Sequence, residues 1–487
     1  MTGSPAAPSR GTAAPFAALL LAVLAFSLMQ TMVVPALPDL QRAFDTSTTT
    51  VSWVLSAFLL TASVATPLLG RVGDMFGKRR VLIATLVTFA AGTLLAAVSN
   101  SIGMLIAARA VQGIGAAAFP LAFGIVRDSF PRERVPVAIG LISSTFGIGF
   151  GIGMVIAGPI TDAASWRWIF WVALAVIVAG VLAIVAFIEE SPIRSPGRVD
   201  WIGVVLLTGG VVALLLGISQ GKPWGWGSPG VVGLFVVAAV VLAVFVVAER
   251  RIREPLIDIG LLARPAVATP HVASFILGFA LFGAFTLVPL LAQTPSSFGY
   301  GYDASVTESG LFMLPMAVTM LVASPLAGRI GMAVGFRTPL VLACLVGVAG
   351  FAVFAVAHEH AWAIYTGSAV LGVGVGFSFA ALVNLVVSAV DPRQTGEATG
   401  INSIMRTIGG SLGAQISATI IASDTLPGTA VPVESGYTTA FWMSTIALGV
   451  ATATVLAGPG RPRRPAAAAD KGDPGNDPAQ PTRSATH

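Results

Sequence analysis

Charge is what this chain has least of. Asp, Glu, Lys and Arg make up 10% of its 487 residues, against about 25% in an ordinary soluble domain. So few charges cannot cover a water-soluble fold of this length. Those present cluster between long apolar stretches, and mean hydropathy is +0.87. The chain reads as a polytopic membrane protein. Cysteine is almost absent: Cys344, inside an apolar stretch, excludes an intrachain disulfide and a cysteine metal cluster. The four histidines (His271, His358, His360, His487) lack ligand spacing on one helix, so no metal site is expected. No G-x-x-x-x-G-K-[ST] loop occurs, so ATP is not expected as an energy source, nor is any cofactor. The net charge of +5 follows membrane orientation and does not suggest nucleic acid. With no nucleophile–base arrangement, an enzyme is not expected.

What the chain has instead is apolar length. A spanning helix needs about 20 mostly apolar residues. Fourteen such runs can be drawn, at roughly 16–37, 51–70, 81–99, 102–126, 135–158, 166–188, 200–219, 230–249, 267–292, 308–328, 338–357, 361–387, 398–422 and 437–457. Residues 1–15 and 458–487 are expected to be disordered cytoplasmic tails. With the N-terminus inside, cytoplasmic segments hold 22 Lys and Arg and the outer side holds 3 (Arg42, Arg167, Lys222). That asymmetry sets the topology by the positive-inside rule: multi-pass, in the cell (inner) membrane, with both termini cytoplasmic.

An internal repeat organises the runs. GRVGDMFGKRR at Gly70–Arg80 returns as GRIGMAVGFR at Gly328–Arg337. At an offset of 258, Gly70, Arg71, Gly73, Gly77 and Arg79 fall on Gly328, Arg329, Gly331, Gly335 and Arg337. Asp74 falls on Met332, and Lys78 on Phe336. In the fifth run Ala138, Gly140, Ser143 and Gly149 fall on Ala398, Gly400, Ser403 and Gly409 at an offset of 260. The repeat distance of eight runs predicts two six-helix bundles, 16–188 and 267–457, with an inserted helix pair and its cytoplasmic linkers at 189–266. Transport folds built from such repeats place the substrate path between the halves.

On these residues the chain resembles the major facilitator superfamily, in its fourteen-helix drug:proton antiporter branch. The loop G-x-x-x-D-x-x-G-[RK]-R after the second run is the most specific match. RAVQG at Arg109–Gly113 looks like the family's second signature, and GPITD in the fifth run resembles its antiporter Gly-Pro motif. SWRWIF at 165–170 and NSIMRTIGGSLG at 402–413 are similar to further segments of the branch. Two departures stand out. Asp162 and Ala163 replace the Gly-Gly that often ends the antiporter motif. Met29 stands before Gln30-Thr31 where many members carry an Asp.

The resemblance implies a gating latch in the loop Gly70, Gly73, Asp74, Gly77, Lys78 and Arg79, with Asp128 as third partner of Asp74 and Lys78. The plain alternative is a solvated basic loop. Arg109 and Arg406 lie inside runs, where a charge is expensive; each is a candidate for proton coupling or substrate, against snorkelling or structural pairing. Gly147, Gly151 and Gly158 share one helix face and Gly149 and Gly153 the opposite one. With Pro159 they suggest a compliant helix between the halves, or packing alone. Acids are sparse. Glu308 and Asp39 are the best outer candidates for a proton carrier, Glu308 if closure buries it, with helix capping as its alternative. Met29, Met32, Phe282, Met313 and Met316 form a candidate hydrophobic cavity, against a reading as core or lipid-facing residues.

The reading is a secondary transporter exporting hydrophobic or amphiphilic compounds, including drugs and antibiotics, in exchange for protons. Its expected partners are the bilayer, a small hydrophobic substrate and protons, and it is expected to be a monomer. The alternatives are transport of a specific, anionic metabolite through Arg109 or Arg406, and a membrane receptor or scaffold. The topology is directly testable. In a Cys344→Ala background, a cysteine at Ser228 should react with an impermeant thiol reagent on intact cells. Labelling at Ser195 instead would overturn the orientation.

Overall fold

The computed structural model of the protein describes residues 13–194, 200–252, 255–423, 426 and 431–458. Most of both expected tails, and the side chains of Asp162 and Lys222, lie outside the described residues. The fold is all-helical. The first half runs through α1 (Ala13–Met32), a short α2 (Leu37–Ala43), α3 (Thr48–Phe76), α4 (Lys78–Ala97), α5 (Ile102–Gly113), α6 (Ala118–Ser129), α7 (Val135–Ala163) and α8 (Arg167–Phe187). The inserted pair is α9 (Trp201–Trp224) and α10 (Pro229–Glu249), followed by the one-turn α11 (Ile259–Leu262). The second half is α12 (Pro265–Gln293), α13 (Val306–Val334), α14 (Arg337–Ala357), α15 (Ala361–Ala389), α16 (Thr395–Ser423) and α17 (Glu434–Ala457).

Among the described residues, thirteen spans are long and apolar enough to cross a membrane. The remaining expected run is α16. Its 29 residues are sufficient in length, but Asn402, Ser403, Arg406 and Thr407 make it polar. Such a helix belongs against protein or a cavity rather than lipid.

The repeated glycine-rich stretch is less of a loop than its composition suggests. Helix α3 continues through Gly70 and Asp74 to Phe76, and α4 begins at Lys78. The whole turn is Gly77, at φ +112°, a conformation that side chains disfavour. Gly335 makes the matching turn between α13 and its neighbour at φ +92°. The fourth run is also not one helix: a 3-10 turn at Ile114–Ala117 separates α5 from α6. There a Cβ on Gly113 would lie 2.5 Å from the Phe58 carbonyl oxygen. The run's repeat partner, α15, is unbroken.

One hydrophobic core joins α1 to α8, and a second joins α12 to α17. The inserted helices share a smaller core with Ile401, Ile404 and Ile408 of α16, and Ser219 of α9 approaches Ser56 of α3 at 3.4 Å. The pair therefore lies beside only one of the two seams between the halves.

Both seams are backbone contacts on the side that carries most basic residues, called the basic side below. In the first, a Cβ on Gly70 of α3 would lie 2.4 Å from the Gly396 carbonyl oxygen of α16, and one on Gly400 would lie 2.6 Å from Pro67 Cα. In the second, a Cβ on Gly328 of α13 would lie 2.6 Å from the Pro136 carbonyl oxygen of α7. One on Gly140 would lie 2.5 Å from the Ser324 carbonyl oxygen. At the offsets read from the sequence these are the same contacts made twice. Side chains at these positions are excluded by backbone, which cannot move aside. Gly70→Val should therefore reduce transport at least tenfold and expose the basic-side seam to thiol labelling. Gly103→Val, with nothing within 4 Å of a new Cβ, should do neither.

Candidate gate and central cavity

The candidate gate, a buried ion cluster, sits just above the first seam. The Asp74 carboxylate, fully buried, accepts hydrogen bonds from the backbone N–H of Gly396 at 2.9 Å and Glu397 at 3.3 Å. These are orphan donors in the first turn of α16, where the helix dipole favours an anion. Lys78, the first residue of α4, places its ammonium 3.2 Å from Asp74 Oδ1 and 2.8 Å from Asp128 Oδ2. Ser191 Oγ also donates to Asp128, at 2.5 Å. An acid of the first half thus holds a helix end of the second, and a buried lysine bridges that acid to Asp128 of α6.

Two further groups tie the halves together. Arg127 donates to the Val390 carbonyl at 2.8 Å and to Thr395 Oγ1 at 2.5 Å. Glu397 lies 3.8 Å from Arg71 and accepts from the Asp258 N–H at 3.1 Å, which links the segment after α10 to the same cluster. Neither Glu397 nor Arg127 was given a role from sequence alone. The adjacency of Arg127 to Asp128, and the position of Glu397 in a first turn, were the available signals.

Arg79 stands apart from the cluster. Its guanidinium donates to the Val185 carbonyl at 3.0 Å near the end of α8, and its backbone N–H to Glu190 at 3.0 Å. Arg337, its repeat partner, donates to the Val455 carbonyl at 3.1 Å and to that of Leu456, at the end of α17. Arg79 and its counterpart Arg337 thus each make a contact within their own half. The contact between halves is made by Asp74, which the second copy lacks, and by Arg71 with Glu397.

The outer acids are not where a buried proton carrier needs to be. Glu308 is exposed and completes a capping box at the start of α13, accepting from the Ser305 N–H at 2.7 Å while Ser305 Oγ accepts from its own N–H at 3.2 Å. That local bond satisfies the carboxylate at the surface, so the expected burial does not occur. Asp39, in α2, pairs with Arg42 one turn on and stays partly exposed.

The two glycine faces of α7 point as their spacing predicts. Gly147, Gly151 and Gly158 lie against Met320, Ala317 and Thr307 of α13. Gly149 and Gly153 lie against Ser27 and Thr31 of α1, and Thr31 Oγ1 donates to the Gly149 carbonyl at 2.7 Å. Pro159 is accommodated inside α7 four residues before its end.

Between the halves lies an apolar cavity. Gln30, Phe58, Leu59, Phe146 and Phe282 line both of its lobes, the larger of about 230 Å³. A side chamber of about 660 Å³ between α3, α9, α12 and α16 shares Leu55, Leu59, Phe282 and Thr407 with it. Of the five expected cavity residues, Phe282 lines it. Met29 and Met32 pack into the first core, and Met313 and Met316 into the second; helical spacing placed each on one face but did not say which face met the cavity. Gln30, Phe58 and Phe146 were missed.

Both arginines reach this cavity. Arg109 is fully buried, so it does not snorkel. Its Nε donates to the Val54 carbonyl at 3.0 Å and Nη1 to Gln112 Oε1 at 2.7 Å, with the guanidinium 4.1 Å from the Phe58 ring centre. Arg406 lies 4.6 Å from the Phe379 ring centre and 5.7 Å from that of Phe146. If the gate acts as its geometry indicates, Asp74→Asn should lower turnover at normal expression, and Met332→Asp should not restore it. Lys78→Met leaves two carboxylates buried without their cation. It should cost about 3–5 kcal/mol, visible as a lower melting temperature than that of Asp74→Asn.

Comparison with known proteins agrees with this architecture. The family model of the Major Facilitator Superfamily matches residues 19–414. An uncharacterised MFS-type transporter of Mycobacterium tuberculosis is 34% identical over 416 residues, covering 82% of this chain and 58% of the relative; the chain thus spans just over half of that relative's length. Multidrug resistance protein 3 of Bacillus subtilis is 28% identical, covering 82% of this chain and 78% of its own. The tetracenomycin C resistance and export protein of Streptomyces glaucescens is 27% identical, with 86% and 78% covered. The crystal structure of the human organic anion transporter MFSD10 superposes with a TM-score of 0.68 at 17% identity, covering 92% of this chain and all of that one, a likeness of fold alone. With two helical halves, a buried ion cluster on one side between them and a family match across most of its length, this chain belongs to the Major Facilitator Superfamily.

Proposed function

We propose that the protein is a secondary transporter that exports hydrophobic or amphiphilic compounds in exchange for protons, by alternating access. The observation that carries this reading is an apolar, aromatic-lined cavity between halves held together on one side by a buried ion cluster. The basic side is taken as cytoplasmic, in the inner membrane, so the described state is closed toward the cytoplasm. Relatives named for multidrug resistance and for export of tetracenomycin C support outward transport. A cavity lined by phenylalanines binds bulky apolar bodies with few fixed hydrogen bonds. A monomer contains both halves and the whole cavity.

Proton coupling is assigned to the gate. Among the described residues, Asp74, Asp128 and Glu397 bring three buried carboxylates together in this cluster; Glu249, also buried, ends α10 and accepts from the Ile257 N–H, and Glu308 and Asp39 are at the surface. Protonating Asp74 removes the charge that attracts Lys78 and the α16 N-terminus, and protonating Glu397 removes its attraction to Arg71. Either change weakens the closed state relative to the open one, the differential that a switching ligand requires. Vesicle accumulation of hydrophobic dyes of different charge, driven by an imposed pH gradient, tests this. Glu397→Gln should lose gradient-driven accumulation and keep downhill exchange, and Glu308→Gln should match wild type. Full gradient-driven accumulation by Glu397→Gln would remove Glu397 from the coupling.

A further inference from the structure

The central cavity has charge of one sign. Among the described residues, no Asp or Glu lines either of its lobes, and the charged residues that do are Arg406 and Arg109. Neither forms an ion pair with an acid among the described residues. Their neighbours are neutral: ring faces for both, with a carbonyl and an amide oxygen for Arg109. Arg109 Nη2, within a fully buried side chain, has no hydrogen-bond partner among the described residues.

A buried cation is ordinarily paired. A ring face offsets part of the cost through its quadrupole. It engages the flat face of the guanidinium and leaves the in-plane N–H donors available, the geometry that meets a carboxylate or phosphate through two parallel bonds. A cationic drug entering here would instead meet two like charges with no acid to offset them. We propose that the cavity selects amphiphilic oxyanions: a carboxylate, sulfonate or phosphate on an aromatic or aliphatic body. Arg406 takes the charge, Phe146 and Phe282 hold the apolar body, and Arg109 biases the lobe it lines toward the same sign. This rests on the export reading above and names its substrate class.

The test uses the full chain in phosphatidylcholine vesicles and three probes on one skeleton: 11-(dansylamino)undecanoate, its primary amide, and the matching trimethylammonium compound. The carboxylate should be transported at least tenfold faster than the cation. In Arg406→Gln the carboxylate-to-amide ratio should fall at least tenfold, and Arg406→Lys should recover part of it. Binding of the same probes, followed by dansyl fluorescence, should show the same ratios and does not depend on turnover. Cation transport equal to that of the carboxylate, or a ratio unmoved in Arg406→Gln, would overturn the oxyanion site while leaving export intact. If no probe moves while the protein retains its melting transition, the export reading falls, and this inference with it. Adding one-third phosphatidylglycerol separates two sources of the oxyanion, both consistent with the site. A carboxylate preference abolished by the lipid identifies an anionic headgroup as occupant; an unchanged preference identifies the soluble amphiphile.

Discussion

A lysine ammonium buried between two carboxylates is the constraint around which the basic side is arranged. Lys78 can be there only because Asp74 and Asp128 are, and Asp74 is held in turn by two backbone donors from the other half. As a source of stability such a cluster is poor: well-packed apolar residues of similar volume do as well or better. Its usefulness lies in being conditional. A hydrophobic seam weakens little with a change of protonation, whereas this one changes character when a single proton is added. The glycines beneath it allow the helices to approach closely enough for Asp74 to reach α16 without displacing backbone.

The repeat separates what holds each half together from what holds the halves to one another. Gly77 and Gly335 turn the chain, and Arg79 and Arg337 each bind the last carbonyls of a helix in their own half. These residues are the same in both copies because both halves need the same internal brace. Asp74 and Lys78 have no counterparts, so the ionic contact is made at one seam, the one flanked by the inserted helices. On the other seam Met332 is exposed, and a Cβ on Gly331 would lie 2.1 Å from the Phe336 ring.

The fold was legible because its signals are long. Twenty-residue apolar runs and a repeat over hundreds of residues survive errors at single positions, and the run that became the polar α16 was drawn on apolar length and matched by its repeat partner. The site was legible only in part. Glu308 shows why: an acid three residues after a serine at a helix start satisfies both a capping pattern and a buried-carrier hypothesis, and only the surroundings decide between them. The methionines show a different limit. Helical spacing groups side chains on one face, but a helix within a bundle has several neighbours, and spacing does not say which of them is a cavity. Arg109 was placed in the right helix, yet its full burial depends on Phe58 and Gln112 reaching it from two directions.

Gly396 has Pro136 as its repeat partner, and the difference between them reaches beyond packing. Both present a carbonyl to the opposing glycine, so both seams close alike. Only Gly396 also has an N–H to give Asp74, because proline has none. The second copy therefore lacks the acceptor, at Met332, and one of the two donors, at Pro136. Restoring either alone gains little: an aspartate at 332 would face a helix start with half its donors missing, and an N–H at 136 would face a thioether. Two positions, 332 and 136, would therefore have to change together before the second seam could carry the same ionic contact, so the asymmetry between the seams does not rest on any single residue.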